Sequence, residues 1–339
     1  LPASVVGRLL RGGKSFSLPA PAQGLLELRW QLSVKLSTVG VSATPAQIIT
    51  TFGATHAVQL ICRHMLRPGD AVVIEDPSYM VQQAQLQDMG AKVLAVPRRS
   101  DGPDLEVLEQ LVREHRPRLV FTQTVLHNPT GGTASPANCH GLLSLAEKYD
   151  FHLVEDDVFG DICTIPSLRL AAMDTFQRVF YVSSFTKVLS PSLRVGYMVC
   201  PFAHVDGLVD RKILDVLTGS SLQDLLVAQV LKSGRYHAHI NNLQRRIGKA
   251  QLKAQSLLSE LGIRFNSMAT NGLFLWGELP AHIDIDHLLS DAFDQGILFI
   301  KGSLFSPTGS YVNYIRFNAA YATEPQLSTF LRKAIQSDK

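Results

Sequence analysis

Lys187 stands where an amine could act as a nucleophile. It closes the run Ser183-Ser184-Phe185-Thr186-Lys187 after an apolar segment, and Ser192-Leu193-Arg194 follows seven residues on. Partial burial at a strand end lowers a lysine pKa and leaves an amine able to add to an aldehyde. Ser184 and Arg194 flank it, and the arginine fork suits a phosphate, which it can grip bidentately. A lone lysine would read as a surface ammonium; the two runs together do not.

Four further runs have the same character. Glu155-Asp156-Asp157-Val158-Phe159 puts carboxylates at the end of an apolar segment, where they are costly unless something positive pairs with them. A protonated pyridine nitrogen would serve; a helix cap or surface turn is the plainer alternative. In His127-Asn128-Pro129-Thr130-Gly131-Gly132 the asparagine can donate to a ring oxygen, and the tight turn allows a cis proline. Asp76-Pro77-Ser78-Tyr79 offers an aromatic ring for stacking on a planar group, or simply for packing. Phe52-Gly53-Ala54-Thr55 joins a strand to a helix whose N-terminal N–H groups could hold a phosphate, although such a turn alone is commonplace.

The elements that must position these residues alternate along the chain. Strands are read at Ile48–Phe52, Ala71–Glu75, Lys92–Pro97, Arg118–Thr122, His152–Glu155, Val179–Ser184 and Val195–Cys200. Several are apolar nearly throughout, as strands covered on both faces are. Helices are read at Ala54–Leu66, Asp104–His115 and Pro136–Tyr149, the last with Ser135 as N-cap and proline at the first position. Alternation of this kind predicts an α/β fold, a mostly parallel sheet of about seven strands with helices on both faces. Ligands then sit beyond the carboxyl ends of the strands, where the runs above fall.

After about residue 220 the pattern changes to a smaller α+β domain: a long helix over Tyr236–Leu261, strands Phe274–Gly277, Ile297–Ile300 and Tyr311–Asn318, and helices near Ile285–Gln295 and from Glu324. The expected division is an N-terminal segment, 1–35, associated with the small domain, a large domain, 36–222, and an interdomain helix with the small domain, 223–339.

Of 339 residues, 46% are hydrophobic and 18% charged, which fits a compact core. A net charge of +3 with scattered basic residues leaves no nucleic-acid footprint. Cys62, Cys139, Cys163 and Cys200 lie far apart with no metal-ligand spacing, so no metal is expected and reduced thiols in a cytoplasmic protein are. No apolar run reaches membrane-spanning length and no signal peptide is read.

Together the five runs resemble the fold-type I pyridoxal-5′-phosphate (PLP) enzymes of the aspartate aminotransferase superfamily. The likeness is greatest to the kynurenine and aminoadipate aminotransferases and to the aminotransferase-like domains of MocR/GntR-type regulators, and it runs from about Gly24 to the C-terminus. It implies that Lys187 carries PLP as a Schiff base and shuttles a proton. Asp156 would pair with the pyridine nitrogen, Asn128 bond the ring hydroxyl and Tyr79 stack on the ring, while Gly53, Ala54, Thr55, Ser184 and Arg194 would hold the phosphate. Arg316, in Tyr314-Ile315-Arg316-Phe317-Asn318, would grip the substrate α-carboxylate beside Asn128. Two positions depart from the pattern. Phe159 stands where a tyrosine usually donates to the ring hydroxyl, and Phe16 and Pro19 stand nearest to where a tyrosine usually reaches the partner subunit's phosphate. The arm that usually covers the site is also missing.

Two readings follow: an aminotransferase moving an amino group between an amino acid and a 2-oxo acid, or the PLP-binding effector domain of a regulator whose DNA-binding domain precedes Leu1. Another fold-type I chemistry, such as a lyase or decarboxylase, is a third. The resemblance implies a homodimer without membrane contact, and DNA contact only through such a preceding domain.

Overall fold

The computed structural model describes residues 19–265 and 272–336; Phe16 lies outside them. Eight strands form the large sheet: β1 Ile48–Thr51, β2 Ala71–Asp76, β3 Lys92–Arg99, β4 Gly102–Pro103, β5 Leu119–Thr122, β6 His152–Asp156, β7 Val179–Ser184 and β8 Gly196–Val199. Their order is β1-β8-β7-β6-β5-β2-β3-β4. Strands β7, β6, β5, β2 and β3 run parallel, β8 is antiparallel to both of its neighbours, and the two-residue β4 is a hairpin return at the edge. The sheet is thus the expected seven strands plus β4.

Strand alternation explains the continuous apolar runs. Val179 and Tyr181 enter the core on one face of β7, whereas Phe180 and Val182 enter the core on the other. Each such side chain contributes about 1.5–3 kcal/mol on burial, so both faces need helices. The helix Pro136–Tyr149 starts where expected, with Ser135 Oγ accepting the Asn138 N–H at 3.1 Å. The helix Leu105–His115 is capped by Asp104, which accepts from the N–H groups of Glu106 and Val107.

The small domain holds an antiparallel sheet of β9 Arg264–Phe265, β10 Phe274–Glu278, β11 Ile300–Lys301 and β12 Tyr314–Asn318, in the order β11-β12-β10-β9. Ile315 and Phe317 face its core with Leu258 and Leu331. The long helix Arg235–Glu260 joins the two cores, with Tyr236, Ile240 and Ile247 in the large one and Ala254 and Leu258 in the small one.

Several expectations need correction. The helix Leu26–Ser37 belongs with the large domain, not the small one: Leu28, Leu32 and Leu36 are fully buried in the core that includes Val73 and Leu153. Strand β12 starts at Tyr314 rather than Tyr311, whose backbone φ of +57° is a turn conformation. Only Ile300 of the segment Ile297–Ile300 joins a strand. Helices Met80–Asp88, Phe202–Val216 and Ser221–Lys232 add to those read from the sequence. Among the described residues, no helix is long and apolar enough to cross a membrane.

Candidate active site

At the carboxyl ends of the parallel strands, between the large and small domains, lies a cavity of about 310 Å³. Its walls include Ala54, Thr55, Tyr79, Asn128, Asp156, Phe159, Lys187, Arg194 and Arg316. Nine of the eleven residues singled out in the sequence therefore meet at one place, although they span some 260 positions of the chain.

The other two stand behind the wall. Gly53 caps the helix Ala54–Met65 with φ +82°, and a Cβ there would lie 2.8 Å from Arg194 Nη2. Gly196 on β8 meets the same turn from below, where a Cβ would lie 2.4 Å from the Gly53 carbonyl carbon. Two glycines thus let a strand, a helix start and a guanidinium share one spot. Ser184 is turned inward: its hydroxyl pairs with that of Thr186 and donates to the Val195 carbonyl at 3.2 Å, so Thr186 takes its place in the wall.

Strand period separates the three carboxylates at the end of β6, Asp157 being the residue just after it. Glu155 accepts from Thr124 Oγ1 and from the N–H groups of Leu170 and Ala171. Asp157 accepts from Tyr181 Oη at 2.6 Å and from Arg169 Nε at 3.2 Å. Both therefore serve the segment at 169–171 or its surroundings. Asp156 points to the cavity instead, where its carboxylate accepts the Val158 N–H at 3.1 Å and, among the described residues, forms no ion pair. Burial, with Asp157 adding, pushes it up to about 7, against the pull of the Val158 N–H and Lys187. A cation placed against it would remove that penalty.

Lys187 follows β7 and opens into the cavity. Partial burial holds its amine below the ordinary lysine value; Arg316 and Arg194 act the same way and Asp156 opposes them. The side chain is more exposed than the sequence suggested, because it projects into the cleft rather than into the core. Arg194 follows it in a left-handed turn, with Nη2 donating to the Phe52 carbonyl at 3.1 Å beside the helix start.

Arg316 comes from the opposite domain. Ile315 and Phe317 face the small core, so Arg316 faces the large domain. Its guanidinium lies 4.2 Å from the Phe274 ring centre and 4.9 Å from that of Phe305, and Nη1 donates to Asn128 Oδ1 at 2.8 Å. Burial pushes it down to about 10. Asn128 is held in turn: its N–H donates to Gln123 Oε1 at 2.5 Å, and the Asn128-Pro129 bond is cis, as the turn allowed. Beneath the loop, Glu75 pairs with the guanidinium of Arg98, and His127 Nε2 approaches it at 3.4 Å. Burial, with Arg98 nearby, keeps His127 well below its ordinary value, so it stays neutral. Tyr79 lines the cavity with its hydroxyl raised by burial. Phe159 stands edge-on to Phe274, 5.5 Å between ring centres.

Sequence reasoning missed Gln123, Thr186, Val58 and Phe274 as wall residues. Thr186 and Val58 had signals, the one inside the lysine run and the other one helical turn beyond Ala54. Gln123 had only its place directly after the strand ending at Thr122, and Phe274 had none, since it opens β10 in the other domain.

Residues 8–333 match the family model for aminotransferases of class I and II. An HTH-type transcriptional regulator of Bacillus subtilis, YdfD, is 29% identical over 94% of this chain and 66% of its own length. The 2-aminoadipate transaminase of Thermus thermophilus is 32% identical over 95% of this chain and 81% of its own. Among solved structures, a kynurenine aminotransferase of Pyrococcus horikoshii superposes with a TM-score of 0.90 at 25% identity, covering 100% of this chain and 88% of that one. The chain spans just under two thirds of the regulator.

Proposed function

The chain belongs to the class I and II aminotransferase family, and from that premise we propose that it moves an amino group from an amino acid to a 2-oxo acid, with pyridoxal 5′-phosphate as its cofactor. The observation that carries this reading is one interdomain cavity lined by Lys187, Asp156, Asn128 and Arg316 together. The cavity fits the cofactor chemically. Asp156 is a costly carboxylate awaiting a cationic ring nitrogen. The N-terminal N–H groups of the helix Ala54–Met65 and the fork of Arg194 await a phosphate.

The bound cofactor supplies an electron sink for charge developing at the substrate Cα. Around it, each side chain has a task. Asp156 would keep the ring nitrogen positive. Tyr79 would stack on the ring face and Asn128 would donate to the ring oxygen. Ala54, Thr55 and Arg194 would hold the phosphate, with Gly53 and Ser184 shaping the turn behind them. Lys187 Nζ would tether the cofactor and carry the proton at the substrate Cα, and its lowered pKa keeps more of it as the free amine. Arg316 grips the substrate carboxylate as a fork, set in orientation by Asn128 Oδ1 and the ring of Phe274. A screen of amino acids against a labelled 2-oxo acid tests the reading. The label should appear in a new amino acid, and its absence for every pair would count against turnover.

A second reading has its own support in the likeness to regulators: an effector domain that senses PLP or an amino-acid adduct on behalf of a DNA-binding domain elsewhere in a longer chain. Both readings use the same residues. We also expect a homodimer, for which Leu26, Trp30 and Val34 offer a second copy an exposed apolar stripe along one helix face. Sedimentation as a monomer would argue against it.

A further inference from the structure

Two side-chain amides in the cavity wall are oriented by groups that can only donate. A backbone N–H or a guanidinium N–H must meet an amide oxygen, not its nitrogen. The Asn128 N–H therefore fixes Gln123 Oε1 at 2.5 Å and leaves Gln123 Nε2 over. Arg316 Nη1 likewise fixes Asn128 Oδ1 at 2.8 Å and leaves Asn128 Nδ2 over. Neither leftover nitrogen has a protein partner among the described residues. Both side chains are buried, and both line the cavity beside Asp156. Each nitrogen is thus a donor open to the cavity, free to meet an acceptor placed there. The same wall carries Phe159, buried against Phe274, which has no hydrogen-bonding atom to offer.

We propose that Gln123 Nε2 donates, together with Asn128 Nδ2, to the oxygen on the cofactor ring, so that Gln123 supplies the second donor that Phe159 lacks. The proposal rests on the cofactor assignment above. Gln123 is held ready for this role at both ends. Its own N–H donates to Glu75 Oε1 at 3.1 Å, the same atom that accepts the Thr122 hydroxyl at 2.5 Å, and its Oε1 is committed to the Asn128 loop. A donor aimed at a ring oxygen favours the anionic form of that oxygen, so removing the donor raises the pH at which the cofactor's proton leaves.

Two variants separate this role from a merely structural one. Gln123→Glu keeps an oxygen for the Asn128 N–H and removes the donor; Gln123→Met removes both. In protein loaded with pyridoxal phosphate, the pH midpoint of the visible absorbance is expected to rise in both variants by about one unit, a tenfold change in proton affinity. The dissociation constant for pyridoxal phosphate is expected to weaken roughly 3- to 10-fold. Adding Phe159→Tyr to Gln123→Met should bring the midpoint back, while Gln123→Glu should melt within a few degrees of wild type. An unchanged midpoint in both variants would overturn the proposal. So would a shift confined to Gln123→Met, which would trace to the loop contact alone. A wild-type protein that takes up no pyridoxal phosphate would instead overturn the cofactor assignment, and that is seen before any variant is made.

Discussion

At the scale of single residues, neighbouring carboxylates divide their duties by which face of β6 they occupy. Asp157 is committed to Arg169 and Tyr181. Asp157→Asn should therefore destabilise the protein by about 3–5 kcal/mol, because it strands a buried guanidinium; a urea titration reads this. Asp156→Asn should leave the melting temperature near wild type, or raise it, yet sharply weaken amino transfer, since it removes a penalised charge that only the cofactor needs. A large loss of stability in Asp156→Asn with normal turnover would reverse these assignments. Lys187→Ala should cost about 100- to 10,000-fold in rate, the usual share of a positioned proton carrier, as steady-state kinetics would measure. The sequence run Glu155-Asp156-Asp157 already contained the distinction, since alternation puts Glu155 and Asp157 on one side. What it did not contain is which side faced the cleft.

At the scale of elements, the cradle at the start of the helix Ala54–Met65 depends on close backbone approach. Gly196→Ala would drive a methyl group into the Gly53 turn. It should cost about 1–3 kcal/mol and weaken phosphate binding as the helix start moves away from Arg194. Inorganic phosphate competition against pyridoxal phosphate would measure the second effect, and an unaffected Kd would show that the turn tolerates the shift. Elements with strong local signals were legible to the residue: Val179–Ser184 is apolar up to its two closing serines, and Pro136–Tyr149 carries its own cap and proline. The helix Met80–Asp88 was not, because four glutamines blur its apolar face. Helices Phe202–Val216 and Ser221–Lys232 were hidden because apolar residues on their outer faces, such as Leu214 and Leu222, break the contrast that periodicity needs. The start of β12 was misplaced because the turn at Tyr311 is made by a residue that carries no turn signal.

At the scale of the whole molecule, two domains and three distant segments converge on properties that no segment has alone. Away from the carboxylates, His204 lies edge-on to both His152 and His64, with His64 Nε2 and His204 Nδ1 3.0 Å apart. Burial lowers all three, His152 to about 4, and repulsion from His204 adds to it at His152 and His64. The folded protein then binds fewer protons than the unfolded chain below the ordinary histidine value. Their contribution is complete above that value and is lost as acid is added. Glu155 and Asp156, raised to about 7, act in the opposite direction over the same range. A comparison isolates the histidine effect: His152→Gln should gain about 2 kcal/mol relative to wild type between about pH 7.5 and about pH 5, and parallel urea midpoints at the two values would contradict this. The cleft itself is closed by contacts between the domains, from Thr308 Oγ1 to Asp76 at 2.7 Å and from Arg316 to Asn128. The sequence could propose both ends of the second contact, but only folding brings them within reach. The central claim is that this cleft holds pyridoxal phosphate on Lys187. The direct measurement is to load the protein with pyridoxal phosphate, reduce it with borohydride and map the labelled peptide by mass spectrometry. The account requires the cofactor's mass on the peptide carrying Lys187, and its loss in Lys187→Ala. Label scattered over surface lysines, or no stable label at all, would contradict it.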